Sequence, residues 1–114
     1  MEKINSEFEK INESIKLLSL PYEEQKGKFP SFVDVPFEIL DTFDNSFLIF
    51  PNLVENGMFT YKVIAMILRL HNIINFTISN PNFKDLEVEQ FSNHVEWDRI
   101  RNLAGEIVAS LEAR

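Results

Sequence analysis

Apolar side chains recur at Ile4, Phe8, Ile11, Ile15 and Leu18, with spacings of four, three, four and three residues. That is the period of one helical face turned toward a core, and it predicts a helix over residues 2–19. Between these positions lie Glu2, Lys3, Glu7, Glu9, Lys10, Glu13 and Lys16, a solvated face of mixed sign with some pairing three and four residues apart. Pro21 ends the element, and PYEEQKGKFPS, residues 21–31, reads as a loop with room for one helical turn.

A second helix is expected to open at Pro36, because proline at a first helical position gives up an N–H that has no partner there anyway. Asp34 or Val35 then caps it. Leu40, Phe43, Phe47 and Phe50 follow at three, four and three, and Pro51 breaks or kinks the helix after Phe50. PNLVENG can form one further short turn, with Pro51 at its start and Gly57 as a left-handed stop. Thr60 is the expected N-cap of a third long helix, from 61 to about 76, which is apolar on almost every side and so reads as the central, most buried one. Asn80 and Pro81 close it. Residues 84–92 fit either a short helix opened by Asp85 or an extended link with Leu86 and Val88 alternating. Asn93, three residues before Glu96, has capping-box spacing. Trp97, Ile100, Ala104, Ile107 and Leu111, joined by Leu103 and Val108, then make the stripe of a last helix. The sum is an all-α fold, a bundle of four or five helices formed by residues 1–114 as a single domain.

Composition changes this picture little. Hydrophobic residues are 45% and charged residues 25%, as in ordinary globular chains, and the 11 phenylalanines are first of all core material. Charge changes it more. Eighteen acids against 11 bases leave −7, a poor balance for holding phosphates, so nucleic acid is not an expected ligand; a basic protein partner, or simple solubility, fits. With no cysteine there is neither a disulfide nor a thiolate site. The alternating charges of the N-terminus do not resemble a signal peptide, and no apolar run reaches the roughly 20 residues of a membrane span. The expected location is the cytoplasm.

Candidate chemistry is thin. His71 and His94 belong to no ligand pattern, and His71 on the apolar third helix reads as a hydrogen-bonded residue at the core edge. The three glycines stand singly, which excludes a phosphate loop. The aspartates lack calcium-loop spacing, and a straight helix does not wrap a cation with neighbouring side chains. No enzyme, metal or cofactor is expected.

The distribution of charge says more than its total. Between Phe29 and Tyr61 there is no Lys or Arg, while Asp34, Glu38, Asp41, Asp44 and Glu55 all fall there. Wound at about 100° per residue, Glu38, Asp41, Asp44 and Asn45 share one side, opposite Leu40, Phe43, Phe47 and Phe50. Phe37 and Leu48 land beside Asp41 and Asp44. Packing alone would have a neighbouring loop or helix cover both; the functional reading makes them exposed anchors ringed by carboxylates, as on a surface that meets a basic protein.

The run FPSFVDVPFEILDTFDNSFLIFPNLVENG, residues 29–57, with VEWDRIRNLAGEIVASL, residues 95–111, resembles the small acidic helical immunity proteins that bacteria encode beside delivered toxins. The resemblance implies a cytoplasmic inhibitor that binds and blocks a cognate toxin domain, often a basic nuclease, with the acidic helix as the blocking surface. The expected partner-binding residues are Phe37, Glu38, Asp41, Asp44, Asn45 and Leu48, together with the loop acids Glu23 and Glu24. Alternatives are a phage or mobile-element protein that imitates nucleic acid against a host defence enzyme, and a structural homodimer through an apolar face that includes the last helix. The chain is expected as a monomer or weak homodimer.

Overall fold

The computed structural model describes residues 2–31, 34–78 and 95–112, and every element among them is helical. These are α1 (Glu2–Ser19), α2 (Tyr22–Lys26), α3 (Val35–Phe47), α4 (Phe50–Glu55), α5 (Tyr61–Ile78) and α6 (Val95–Glu112). The all-α expectation holds, with the optional turns at 21–31 and 51–57 realised as the short helices α2 and α4. The ambiguous segment 84–92, the Asn93 cap and His94 lie outside the described residues.

The four long helices close into a ring. α3 packs on α1, α1 on α6 and α6 on α5. α5 returns to α3 through His71, whose ring stacks on Phe47 with centroids 3.8 Å apart. The stripe expected on the last helix is the heart of the core, with Trp97, Ile100, Ala104 and Ile107 fully buried beside Ile11, Ile15 and Leu18 of α1. That apolar stripe is therefore packed within the chain.

α5 is not the central helix, nor is it buried on every side. Its inner side, Val63, Met66, Ile67, Leu70 and Ile74, is buried, but Tyr61, Leu68 and Phe76 are 92%, 45% and 73% exposed. The central positions belong to α1 and α6, each packed extensively on two long helices, whereas α5 packs so on α6 and meets α3 through the His71 side chain.

Local chemistry fixes the joints. α1 ends with carbonyls that no further turn can satisfy. The buried Gln25 of α2 donates its Nε2 to Leu17 O at 2.8 Å, and Arg101 of α6 donates Nε to Leu20 O at 3.0 Å. Asp34 caps α3, accepting from the Phe37 amide at 3.2 Å. α3 then stops at Phe47, not at Phe50 as expected. Pro51 supplies no N–H for the Phe47 carbonyl, and its ring would collide with that carbonyl in a continued helix. The turn therefore comes before the proline, and Pro51 sits in the first turn of α4. α4 closes with Gly57 at φ +70°, Met58 N donating to Leu53 O and Gly57 N to Val54 O, the pair of bonds that a left-handed residue after a helix makes possible. Thr60 caps α5 as expected, with Val63 N donating to its hydroxyl at 3.2 Å.

Most of the described phenylalanines are structural. Phe8, Phe59, Phe50, Phe47 and Phe43 form a chain of rings with successive centroids 5.3–5.9 Å apart, linking α1, α4 and α3. Such spacings are those of favourable edge and offset contacts.

Candidate partner-binding surface

The surface is built on α3. Its inner face, Val35, Ile39, Leu40 and Phe43, is buried, and Ser46 meets Ser14 of α1 at a helix crossing with hydroxyls 2.8 Å apart. Each hydroxyl also lies 2.8 Å from the carbonyl three residues earlier, Ile11 O and Phe43 O. Small side chains at this point let the two backbones approach. The orientation of α3 is thereby set from below, and its outer positions follow from the helical period.

Those outer positions run Phe37, Asp41, Asp44, Leu48, a stripe at spacings of four, three and four. Phe37 is 60% exposed and Leu48 79% exposed. The reading that a neighbouring element covers them is thus corrected: the ring of α3, α1, α6 and α5 leaves this side of α3 open. Glu38 and Asn45 flank the stripe, with Glu38 half-buried and Asn45 exposed. Asn45 donates Nδ2 to Asp41 Oδ2 at 3.3 Å. Asp44 lies 3.8 Å from His71 Nε2. Among the described residues no ion pair joins a Lys or Arg to Glu38, Asp41 or Asp44.

That arrangement works against the stability of the helix. Glu38 favours the positive N-terminal end, but Asp44 stands near the C-terminal end, whose last turn carries no base. Acids three residues apart, as Glu38 with Asp41 and Asp41 with Asp44, repel by a few tenths of a kcal/mol per pair. An open apolar residue at each end of an unneutralised acid row is therefore a surface that folding alone does not favour.

The loop acids divide. Glu23 and Glu24 are exposed on α2, and Glu23 pairs with Lys26 at 3.5 Å. Burial and then the charges of Asp34 and Glu23 hold the Tyr22 phenol above its ordinary range. No contact among the described residues ties Glu24 to α3.

Across the His71 seam lies a second open stripe that the sequence reading missed. On α5 the exposed Tyr61, Ala65, Leu68, Asn72 and Phe76 follow one another at three or four residues, with Lys62 and Arg69 along their outer edge. Leu68 and Asn75 flank His71 on the helix, and Asn75 Nδ2 lies 3.4 Å from its ring nitrogens. Both stripes therefore border one seam and belong to one face. A signal for this was present in the chain: from Asn56 to Lys84 there is no acid at all, as from Phe29 to Tyr61 there is no base. Within the described residues, the two runs of opposite sign supply α3 and α5, which meet at His71.

Compared with protein-family models, curated proteins and solved structures, the chain matches none. The chemistry of the surface must speak for itself. A groove between α1 and α3 is bordered by Lys10, Glu13, Lys16, Lys28, Thr42 and Asn45. Its lining carries three lysines and three glutamates, Glu7, Glu9 and Glu13, a charge balance without a sign. No described helix is long and apolar enough to cross a membrane.

Proposed function

We propose that the chain is an immunity-type inhibitor that blocks a basic toxin domain by laying α3 across the toxin's phosphate-binding subsites. The observation that carries this reading is the exposure of Phe37 and Leu48 at the two ends of Asp41 and Asp44, on a stretch without a single base. A nuclease holds phosphates with Lys and Arg, and a preformed row of carboxylates occupies the same groups. The two apolar residues supply contact area that excludes water around the acids, which is where binding energy concentrates in interfaces. Glu38 and Asn45 border the contact on α3, and the exposed Glu23 and Glu24 of α2 are the further acids assigned to it.

The test is co-purification and growth rescue with the product of the gene adjacent to this one. A one-to-one complex and rescued growth are expected, with association slowed about tenfold or more at low salt by Asp41→Lys and Asp44→Lys together, and with a shallower salt dependence. Unchanged affinity in that double variant would show that α3 is not the blocking surface. Competition by duplex DNA for a defence enzyme, with no toxin gene adjacent, would replace this reading by nucleic-acid mimicry.

A further inference from the structure

The acid row of α3 is too small to be a whole contact. At about 1.5 Å per residue it runs roughly 17 Å from Phe37 to Leu48, and a helix with its side chains is about 10–12 Å across, so its outline is roughly 200 Å². A stable protein contact takes roughly 800 Å² of accessible surface from each partner, well beyond that strip even if side-chain relief doubles it. The remainder must come from a flank of α3. On one flank lies the groove toward α1, with its lysines and glutamates in balance. On the other lies α5.

The course of α5 decides which of its residues stand beside the row. Phe59, just ahead of α5, packs on Phe50 of α4 with centroids 5.4 Å apart, and further along α5 His71 reaches Asp44 and Phe47. The helix therefore runs from the level of α4 to the last turns of α3. Leu68, nearly one turn before His71, lies on the α4 side of that contact, and so does Leu48, one turn beyond Asp44. By the helical period Leu68 is turned about 60° outward from His71, and Leu48 about 40° outward from Asp44. The two leucines, 45% and 79% exposed, thus flank the seam on its open side. Tyr61, two turns before Leu68 on the same line and 92% exposed, prolongs the apolar surface toward α4. Lys62 and Arg69 follow Tyr61 and Leu68 by one residue, about 100° further round α5 and away from the seam. A basic domain has reason to stop short of them.

We infer that the toxin's footprint crosses the seam, with Leu48, Leu68 and Tyr61 forming one apolar patch at the end of the acid row. The matching partner has a basic phosphate-binding groove bordered by an apolar ridge, the groove taking Asp41 and Asp44 and the ridge seating on the patch. This rests on the toxin reading proposed above and adds what α5 contributes to it. The two parts act at different moments: the acids govern how fast the partner arrives, and the buried apolar contact governs how long it stays.

Binding kinetics with the product of the adjacent gene, immobilised on a biosensor, test the division. Tyr61→Ala is expected to speed dissociation about tenfold and Leu68→Ala about fivefold, both with association within about twofold of wild type. Asp41→Lys with Asp44→Lys is expected to slow association, and Lys62→Glu with Arg69→Glu to leave dissociation unchanged. Circular dichroism checks that each variant keeps its fold. If Tyr61→Ala and Leu68→Ala dissociate like wild type while the acid variant associates slowly, the partner stops at the seam; this inference is overturned and the toxin reading stands. Faster dissociation of the Lys62→Glu, Arg69→Glu variant also overturns it, because the footprint would then extend over the basic edge. Absence of a complex, or unchanged association in the acid variant, overturns the toxin reading and this inference together.

Discussion

Phe43 and Leu48 lie on opposite sides of the same polypeptide stretch, and their truncation should separate packing from surface. Phe43 is fully buried in contact with Phe47 and near His71. Phe43→Ala removes most of a ring from a close-packed site and is expected to cost about 3–5 kcal/mol. Leu48 is 79% exposed, so folding removes only one-fifth of it from water. Taking about 1.5–3 kcal/mol for complete burial of such a side chain, Leu48→Ala should cost about 0.3–0.6 kcal/mol. Phe37, 60% exposed, scales to about 0.6–1.2 kcal/mol, part of which the better helix propensity of alanine offsets. Urea unfolding followed by circular dichroism, extrapolated linearly at a protein concentration low enough to keep the chain monomeric, gives all three values. Equal slopes would show that the same surface unfolds in each. A loss above about 1.5 kcal/mol for Leu48→Ala would refute the reasoning, because it would mean that something in the folded chain covers Leu48 and the acid row has lost its apolar end.

Two further tests concern the frame. Gly105→Ala on α6, where a Cβ meets nothing within 4 Å, should stabilise by about 0.5–1 kcal/mol, whereas Gly57→Ala, at φ +70°, should destabilise by about 1 kcal/mol, both read from thermal unfolding. The raised pKa of Tyr22, caused first by burial and then by Asp34 and Glu23, gives a signed pH effect: the stability held by its neutral phenol is intact below the unfolded value of 10.0 and is lost as pH rises through the higher folded value. Urea titrations between about pH 9 and 11 should therefore show a shallower alkaline loss for Tyr22→Phe than for wild type.

Much of the helical frame was legible because its signals are local. Asp34 before Pro36, Thr60 before the third long helix and Gly57 after α4 each act through groups within four residues, and each does what its residue type suggests. The end of α3 was misjudged because the steric demand of Pro51 reaches back four residues to Phe47, while apolar periodicity runs on to Phe50. The burial of α5 was misjudged for another reason. A helix apolar on all sides reads as central, but periodicity cannot tell a side packed within the chain from one left open, and here Leu68 and Phe76 are open. The acid stripe itself could be placed by winding α3, since its positions follow from the helical period. Whether Phe37 and Leu48 were covered depended on where α5 and α1 lie, and that is a property of the assembled ring.

The side-by-side runs of opposite sign also give the molecule an electric moment. Three acids on α3 and two bases on α5 stand on helices that meet at the His71–Phe47 contact, so the field changes sign from one side of the seam to the other. At physiological salt, fields decay over about 8 Å, and a distant molecule senses little more than the overall negative charge. Only within the last few ångströms does the seam make itself felt, and there it exerts a torque. A basic surface that arrives over α5 is turned away and rotated toward α3, so the angle of approach is corrected in the encounter itself, before any side chain is in contact.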